Sequence, residues 1–134
     1  MIIVIDFDGT IVSGDNYPNI TFSKLLCREV IQSWYDDGNE IIINSCRTGR
    51  YEGMAVDFLV ENNIPFHYFN CNLPVQIQHF KMDCRKISGD VYIDDKNLGG
   101  IPDNWIDIDI MVRKHPKYVN KKRDSSCKVA YILT

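Results

Sequence analysis

Two carboxylates, Asp6 and Asp8, stand two residues apart, directly after the aliphatic run Ile2-Ile3-Val4-Ile5 and just before Gly9. Acids at that spacing can share one phosphoryl group or one divalent cation. A second acidic pair, Asp94-Asp95, closes the apolar stretch Val91-Tyr92-Ile93, and Ser45-Cys46-Arg47 follows Ile41-Ile42-Ile43 and Asn44. An ordinary Asp-Gly turn accounts for Asp8-Gly9. It does not account for Asp6, an acid at the end of an otherwise apolar strand. The cysteines Cys27, Cys46, Cys71, Cys84 and Cys127 show no CxxC spacing, which argues against a zinc site or a secreted disulfide framework and for reduced thiols. Nor do His67, His79 and His115 have ligand spacing.

The elements that must position these residues read as alternating strands and helices. Ile2–Ile5 is a strand buried on both faces, as in a parallel sheet. A polar loop follows, and Thr21 or Ser23 is expected to cap a helix to about Tyr35, stopped by Asp36-Asp37-Gly38-Asn39. Ile41–Ile43 is the second strand, Tyr51–Asn62 the second helix, and Phe66–Phe69 a short third strand. A helical turn or two is expected around Val75–Phe80, then the fourth strand, Val91–Ile93. Ile106, Ile108, Ile110 and Val112 alternate like a strand, but Asp103 as a cap and the α/β order favour a helix over Trp105–Val112. Val129–Leu133 reads as a last strand. The order predicts an α/β protein with a three-layer, doubly wound parallel sheet. Its strand ends then gather Asp6, Asp8, Ser45, Asp94 and Asp95 at the edge where such sheets bind ligands.

The chain has 134 residues, enough for one domain, with a hydrophobic content of 45% and a charged content of 25%, as in ordinary globular proteins. No apolar run approaches the roughly 18 residues of a membrane helix, and the chain begins in its first strand, so a cytoplasmic protein without membrane contact is expected. The net charge of −3 is uneven. Residues 113–128 hold seven Lys/Arg against one acid, a segment that can attract polyanions such as nucleic acid or simply form a solvated loop.

The motifs together resemble the haloacid dehalogenase (HAD) superfamily of phosphohydrolases. The first is Asp6-Phe7-Asp8-Gly9-Thr10 after an apolar strand; the second is Ser45 at the end of Ile41-Ile42-Ile43-Asn44; the third is a lone Lys; the fourth is Asp94-Asp95. Tyr17-Pro18, Ser45-Cys46-Arg47-Thr48-Gly49 and Tyr92-Ile93-Asp94-Asp95 look more narrowly like small, capless members from bacteria and phages. Receiver and Toprim-type domains also set acids on parallel sheets, but in a different order along the chain. The resemblance implies a Mg²⁺-dependent phosphomonoester hydrolase. Asp6 is then the nucleophile that forms an aspartyl-phosphate and Asp8 the general acid and base, its proton affinity raised by neighbouring acids. Asp6, the backbone carbonyl of Asp8, Asp94 and Asp95 hold the metal. Ser45 binds a phosphoryl oxygen, and Lys86, eight residues before Asp94, supplies positive charge, with Lys81 and Arg85 as competitors. Thr10, Cys46 and Arg47 are expected at the substrate.

No cap domain fits. The interval 9–20 holds a short flap and 70–88 is too short for a folded unit. An open site excludes water poorly, which suggests either a large phosphorylated substrate that covers it or a neighbouring subunit of a homo-oligomer acting as cap. The alternatives are a nucleotide or nucleic-acid end phosphatase guided by the basic segment, phosphotransfer to an acceptor other than water, and a non-catalytic binding domain.

Overall fold

The computed structural model describes residues 1–121. The expected strand at Val129–Leu133, Cys127 and residues 122–128 of the basic segment lie outside them. Among the described residues four strands, β1 (Ile2–Asp6), β2 (Glu40–Asn44), β3 (Tyr68–Phe69) and β4 (Val91–Ile93), form an all-parallel sheet in the order β3-β2-β1-β4. Four helices among the described residues accompany it: α1 (Cys27–Asp36), α2 (Gly49–Glu61), α3 (Pro74–Phe80) and α4 (Trp105–Arg113). This is a Rossmann-like α/β fold.

The aliphatic runs are continuous because both faces of the sheet are covered. On one face Ile3, Ile5, Ile41 and Ile43 pack with Val30, Ile31 and Trp34 of α1, Leu59 of α2, and Trp105 and Ile108 of α4. On the other, Ile2, Val4 and Ile42 pack with Leu73 and Ile87. The register matters most for the site. Ile5 lies opposite Ile43 and Ile93, and Asp6 opposite Asn44. One step beyond Ile5 and Ile93, Asp6 and Asp94 therefore leave adjacent strands level with each other. A one-residue slip would send one of them to the other face.

Several expected boundaries move, each for a local reason. α1 begins at Cys27, not at a Thr21 or Ser23 cap, because residues 21–26 return to the loop after β1. Ser23 bridges Val12, and the Lys24 N–H donates to the Ile11 carbonyl at 2.8 Å. β3 is confined to Tyr68–Phe69. Just before it His67 meets Ile41 with its backbone N–H, donating to the Ile41 carbonyl at 2.8 Å, and with its side chain, Nδ1 accepting the Ile41 N–H at 2.9 Å where a backbone carbonyl would continue the ladder. The helix expected over Trp105–Val112 forms, but Asn104 caps it instead of Asp103, accepting from the Asp107 N–H at 2.8 Å.

Burial of Trp34 and Trp105 against each other, ring centroids 5.9 Å apart, fixes α1 to α4. Trp34 Nε1 donates to Asp109 Oδ1 at 2.6 Å, and Arg113 satisfies the same acid at 2.8 Å and Asp37 at 3.0 Å. Lys117 pairs with Asp90 at 3.4 Å. Two bases of the described part of the basic segment thus serve to anchor α4 and the chain after it. Among the described residues no helix is long and apolar enough to cross a membrane.

Candidate active site

Asp6, Asp94 and Asp95 converge beyond the carboxyl ends of β1 and β4, each offering an oxygen within 4.8 Å of the others. All three are half-buried. Burial, first, and the charge of Asp94, second, push the Asp6 carboxyl up to about 7. Thr10 opposes that shift by donating its hydroxyl to Asp6 Oδ2 at 3.0 Å, and the Thr10 Oγ1 itself accepts the Asp95 N–H at 3.1 Å. Asp94 is oriented in turn by the Lys96 N–H, 2.9 Å from its Oδ1. Hard oxygen donors crowded at a dielectric boundary suit a divalent cation such as Mg²⁺. The crowding that raises Asp6 is the repulsion such an ion would relieve.

Thr10 was expected at the substrate. It is fully buried, its carbonyl taken by Trp105 Nε1 at 3.3 Å, and its hydroxyl ties the first acid to the second pair. Gly9 is needed for the same approach: its φ is +86°, and a Cβ there would overlap the Asp95 carboxylate.

Asp8 departs furthest from expectation. Its carboxylate is not among those that converge within 4.8 Å. Arg47 Nε and Nη2 donate to its two oxygens at 2.7 and 2.8 Å, a bidentate fork. Arg47 is 0% exposed. Its guanidinium carbon lies 5.4 Å from the Phe7 ring centroid and 4.9 Å from that of Tyr17, and Nη1 reaches the Tyr51 carbonyl at 3.3 Å. Expected on substrate phosphate, Arg47 instead positions Asp8. The sequence offers no signal for this pairing across 39 positions.

Ser45, half-buried at the end of β2, keeps its hydroxyl near the acids' edge of the sheet, accepting the Arg47 N–H at 3.1 Å. Cys46 beside it is exposed. Asn70, unnoticed in the sequence, holds this loop: its Oδ1 accepts the Ser45 N–H at 2.7 Å, while its Nδ2 donates to the Arg47 carbonyl at 3.3 Å and to Glu52 at 3.1 Å. It does so at φ 56°, a left-handed conformation that Asn tolerates best among non-glycine residues. The structure does not bring Lys86 into contact with the acids. Lys86, Lys81 and Arg85 are exposed, and the Lys86 ammonium lies 5.5 Å from the Tyr92 ring centroid. The lysine that does touch the Asp6–Thr10 loop is Lys24, whose Nζ donates to the Gly9 carbonyl at 2.7 Å.

A parallel sheet with acids gathered past its strand ends defines a Rossmann-like α/β protein with a candidate divalent-cation centre. The chain is similar to a solved structure, that of a conserved protein coded by a locus from Bacteroides thetaiotaomicron, at 34% identity and a TM-score of 0.74, with 84% of this chain and 89% of that one covered. At that identity and coverage the chain belongs to the same family as the Bacteroides protein. No protein-family model and no curated protein matches the sequence.

Proposed function

We propose that the protein is a capless HAD-type phosphohydrolase, doubly wound, cleaving phosphate monoesters through Asp6. The observation that carries this reading is the convergence of Asp6, Asp94 and Asp95 oxygens within 4.8 Å, with Asp8 two residues on in the order Asp-Phe-Asp-Gly-Thr. Four free thiols among the described residues, Cys27, Cys46, Cys71 and Cys84, accord with a reducing, cytoplasmic setting.

Asp6 attacks phosphorus with one carboxylate oxygen, and the bond from phosphorus to the substrate alcohol breaks. The Ser45 hydroxyl binds a phosphoryl oxygen. Asp8 carries the proton: to the departing alkoxide in the first step, and from the water that attacks the aspartyl-phosphate in the second, which frees phosphate and Asp6. Arg47 fixes where Asp8 stands, leaving proton exchange to the lone pairs its fork does not occupy. Asp6, Asp94, Asp95 and the Asp8 carbonyl would hold Mg²⁺, which when bound would supply the positive charge that lets an anionic nucleophile approach a phosphate dianion. Lys86, whose ammonium forms no ion pair with the described residues, is the side chain we assign to charge on the phosphoryl group. The direct test is hydrolysis of an aryl phosphate with Mg²⁺ and with EDTA. Metal-dependent release supports the reading; release indifferent to EDTA contradicts it.

Two consequences concern the metal site alone. Gly9→Ala places a methyl group against Asp95 in a backbone region L-residues avoid, so Mg²⁺ affinity is expected to fall roughly 10- to 100-fold, as for other lost supports of ligands. Titration of the Mg²⁺-induced rise in Tm reads this, and unchanged affinity would contradict it. The second is a pH dependence. Asp6 in the fold titrates near 7, above the ordinary 3.8, so the metal-free fold binds the extra proton in that window and loses this stabilisation as pH rises through it. The cation competes with that proton. The rise in Tm given by Mg²⁺ is therefore expected to be larger at pH 8 than at pH 5.5, and a flat or inverted dependence would count against Asp6 as a ligand.

A further inference from the structure

Tyr17 lies on the flap between β1 and α1 with 53% of its surface exposed, although its ring covers a buried guanidinium, that of Arg47, at 4.9 Å. The ring of Tyr51 is 6.3 Å away at 48°. The exposed Arg50 lies over Tyr51, its guanidinium carbon 5.0 Å from the ring centroid and its Nη2 donating to the hydroxyl at 3.1 Å. Covering Arg47 needs one side of Tyr17 only. Tyr17 keeps its exposure beside a second tyrosine and, over that tyrosine, a second planar cation.

Resting on the phosphohydrolase reading above, we propose that Tyr17, Tyr51 and Arg50 form a stacking subsite for the substrate's leaving group, and that this group carries a planar aromatic ring. The direction follows from Asp8. It transfers a proton to the leaving oxygen, so the alcohol departs on the Asp8 side. Arg47, forked onto Asp8, also lies under the Tyr17 ring and so joins the two. Aromatic faces and guanidinium planes both stack on flat rings, whereas a saturated group gains contact area without stacking. A nucleobase and a simple aryl ring share this chemistry.

The experiment compares kcat/KM for two matched pairs with Mg²⁺: adenosine 5′-monophosphate against ribose 5-phosphate, and benzyl phosphate against cyclohexylmethyl phosphate. Each pair keeps a primary alkoxide and differs in whether the leaving group carries a planar aromatic ring. The wild-type protein is expected to favour the aromatic member roughly ten- to hundredfold, in the first pair for a base-specific subsite, in both for one that takes any flat ring. Tyr17→Phe should keep the ratio and Tyr17→Leu should bring it close to one. A wild-type ratio near one in both pairs, or a ratio that Tyr17→Leu leaves intact, overturns the subsite alone. Failure of all four compounds while an aryl phosphate is still hydrolysed overturns the subsite alone; failure of the aryl phosphate as well removes the phosphohydrolase reading and the subsite together.

Discussion

With Asp6 replaced by asparagine, Mg²⁺-dependent phosphate release is expected to drop by at least about 10⁴-fold, the scale seen when a covalent nucleophile is lost. The amide has nearly the same size and can still accept from the Thr10 hydroxyl, now 3.0 Å from Asp6 Oδ2. It lacks the charge needed to attack phosphorus or to share a cation. The same substitution removes the charge that burial and Asp94 oppose in the wild-type fold, where the carboxyl is pushed up to about 7. Without metal at pH 8, Asp6→Asn is therefore expected to be at least as stable as wild type by thermal melting. Lost turnover with a retained or raised Tm separates chemistry from collapse. Wild-type turnover in this variant would sink the mechanism.

The second large effect is on stability. Arg47→Met should destabilise the fold by about 3 kcal/mol, the lower end for breaking a buried ion pair, because the Asp8 side chain keeps 21% exposure and is partly rehydrated. For a chain of this size that lowers Tm by on the order of 10 °C. Methionine fills much of the space between Phe7 and Tyr17, so the loss comes mainly from Asp8 left without its two donors. Arg47→Lys should recover only part, since an ammonium cannot make the fork. Combining Arg47→Met with Asp8→Asn should recover more than either change would suggest alone, because no charge is left unpaired. A single Arg47→Met within about 1 kcal/mol of wild type, measured by denaturant unfolding, would mean the pair contributes little.

What could be read in the sequence was what local chemistry dictates. Runs such as Ile41-Ile42-Ile43 are buried on both faces, and acids at strand ends fall at one edge of a parallel sheet. The alternating stretch Ile106–Val112 was resolved as helix only by the order of the neighbouring elements, and α4 spans Trp105–Arg113. The late start of α1 could not be read, because Ser23 and Lys24 are held by Val12 and Ile11, partners that helical periodicity does not register. The site was legible to the same depth. Asp6, Asp94 and Asp95 meet because register requires it, while the Arg47–Asp8 fork, the Asn70 brace and the Lys24 contact with Gly9 join positions 39, 25 and 15 apart. Each of these residues has an ordinary surface interpretation in isolation. Only the folded chain shows that Arg47 is enclosed and that Thr10 links the acids instead of meeting substrate.

The central claim is covalent: Asp6 takes the phosphoryl group. The most direct measurement is to quench the protein in acid during turnover of an aryl phosphate with Mg²⁺, reduce with borohydride, and sequence the peptide Met1–Lys24 by mass spectrometry. The account predicts that position 6, and not position 8, is converted to homoserine, the product of a reduced aspartyl-phosphate, and that EDTA abolishes the conversion. Steady Mg²⁺-dependent turnover with no modification at Asp6, under conditions where breakdown of the intermediate is slow, would contradict it and turn the cluster into a site that activates water directly.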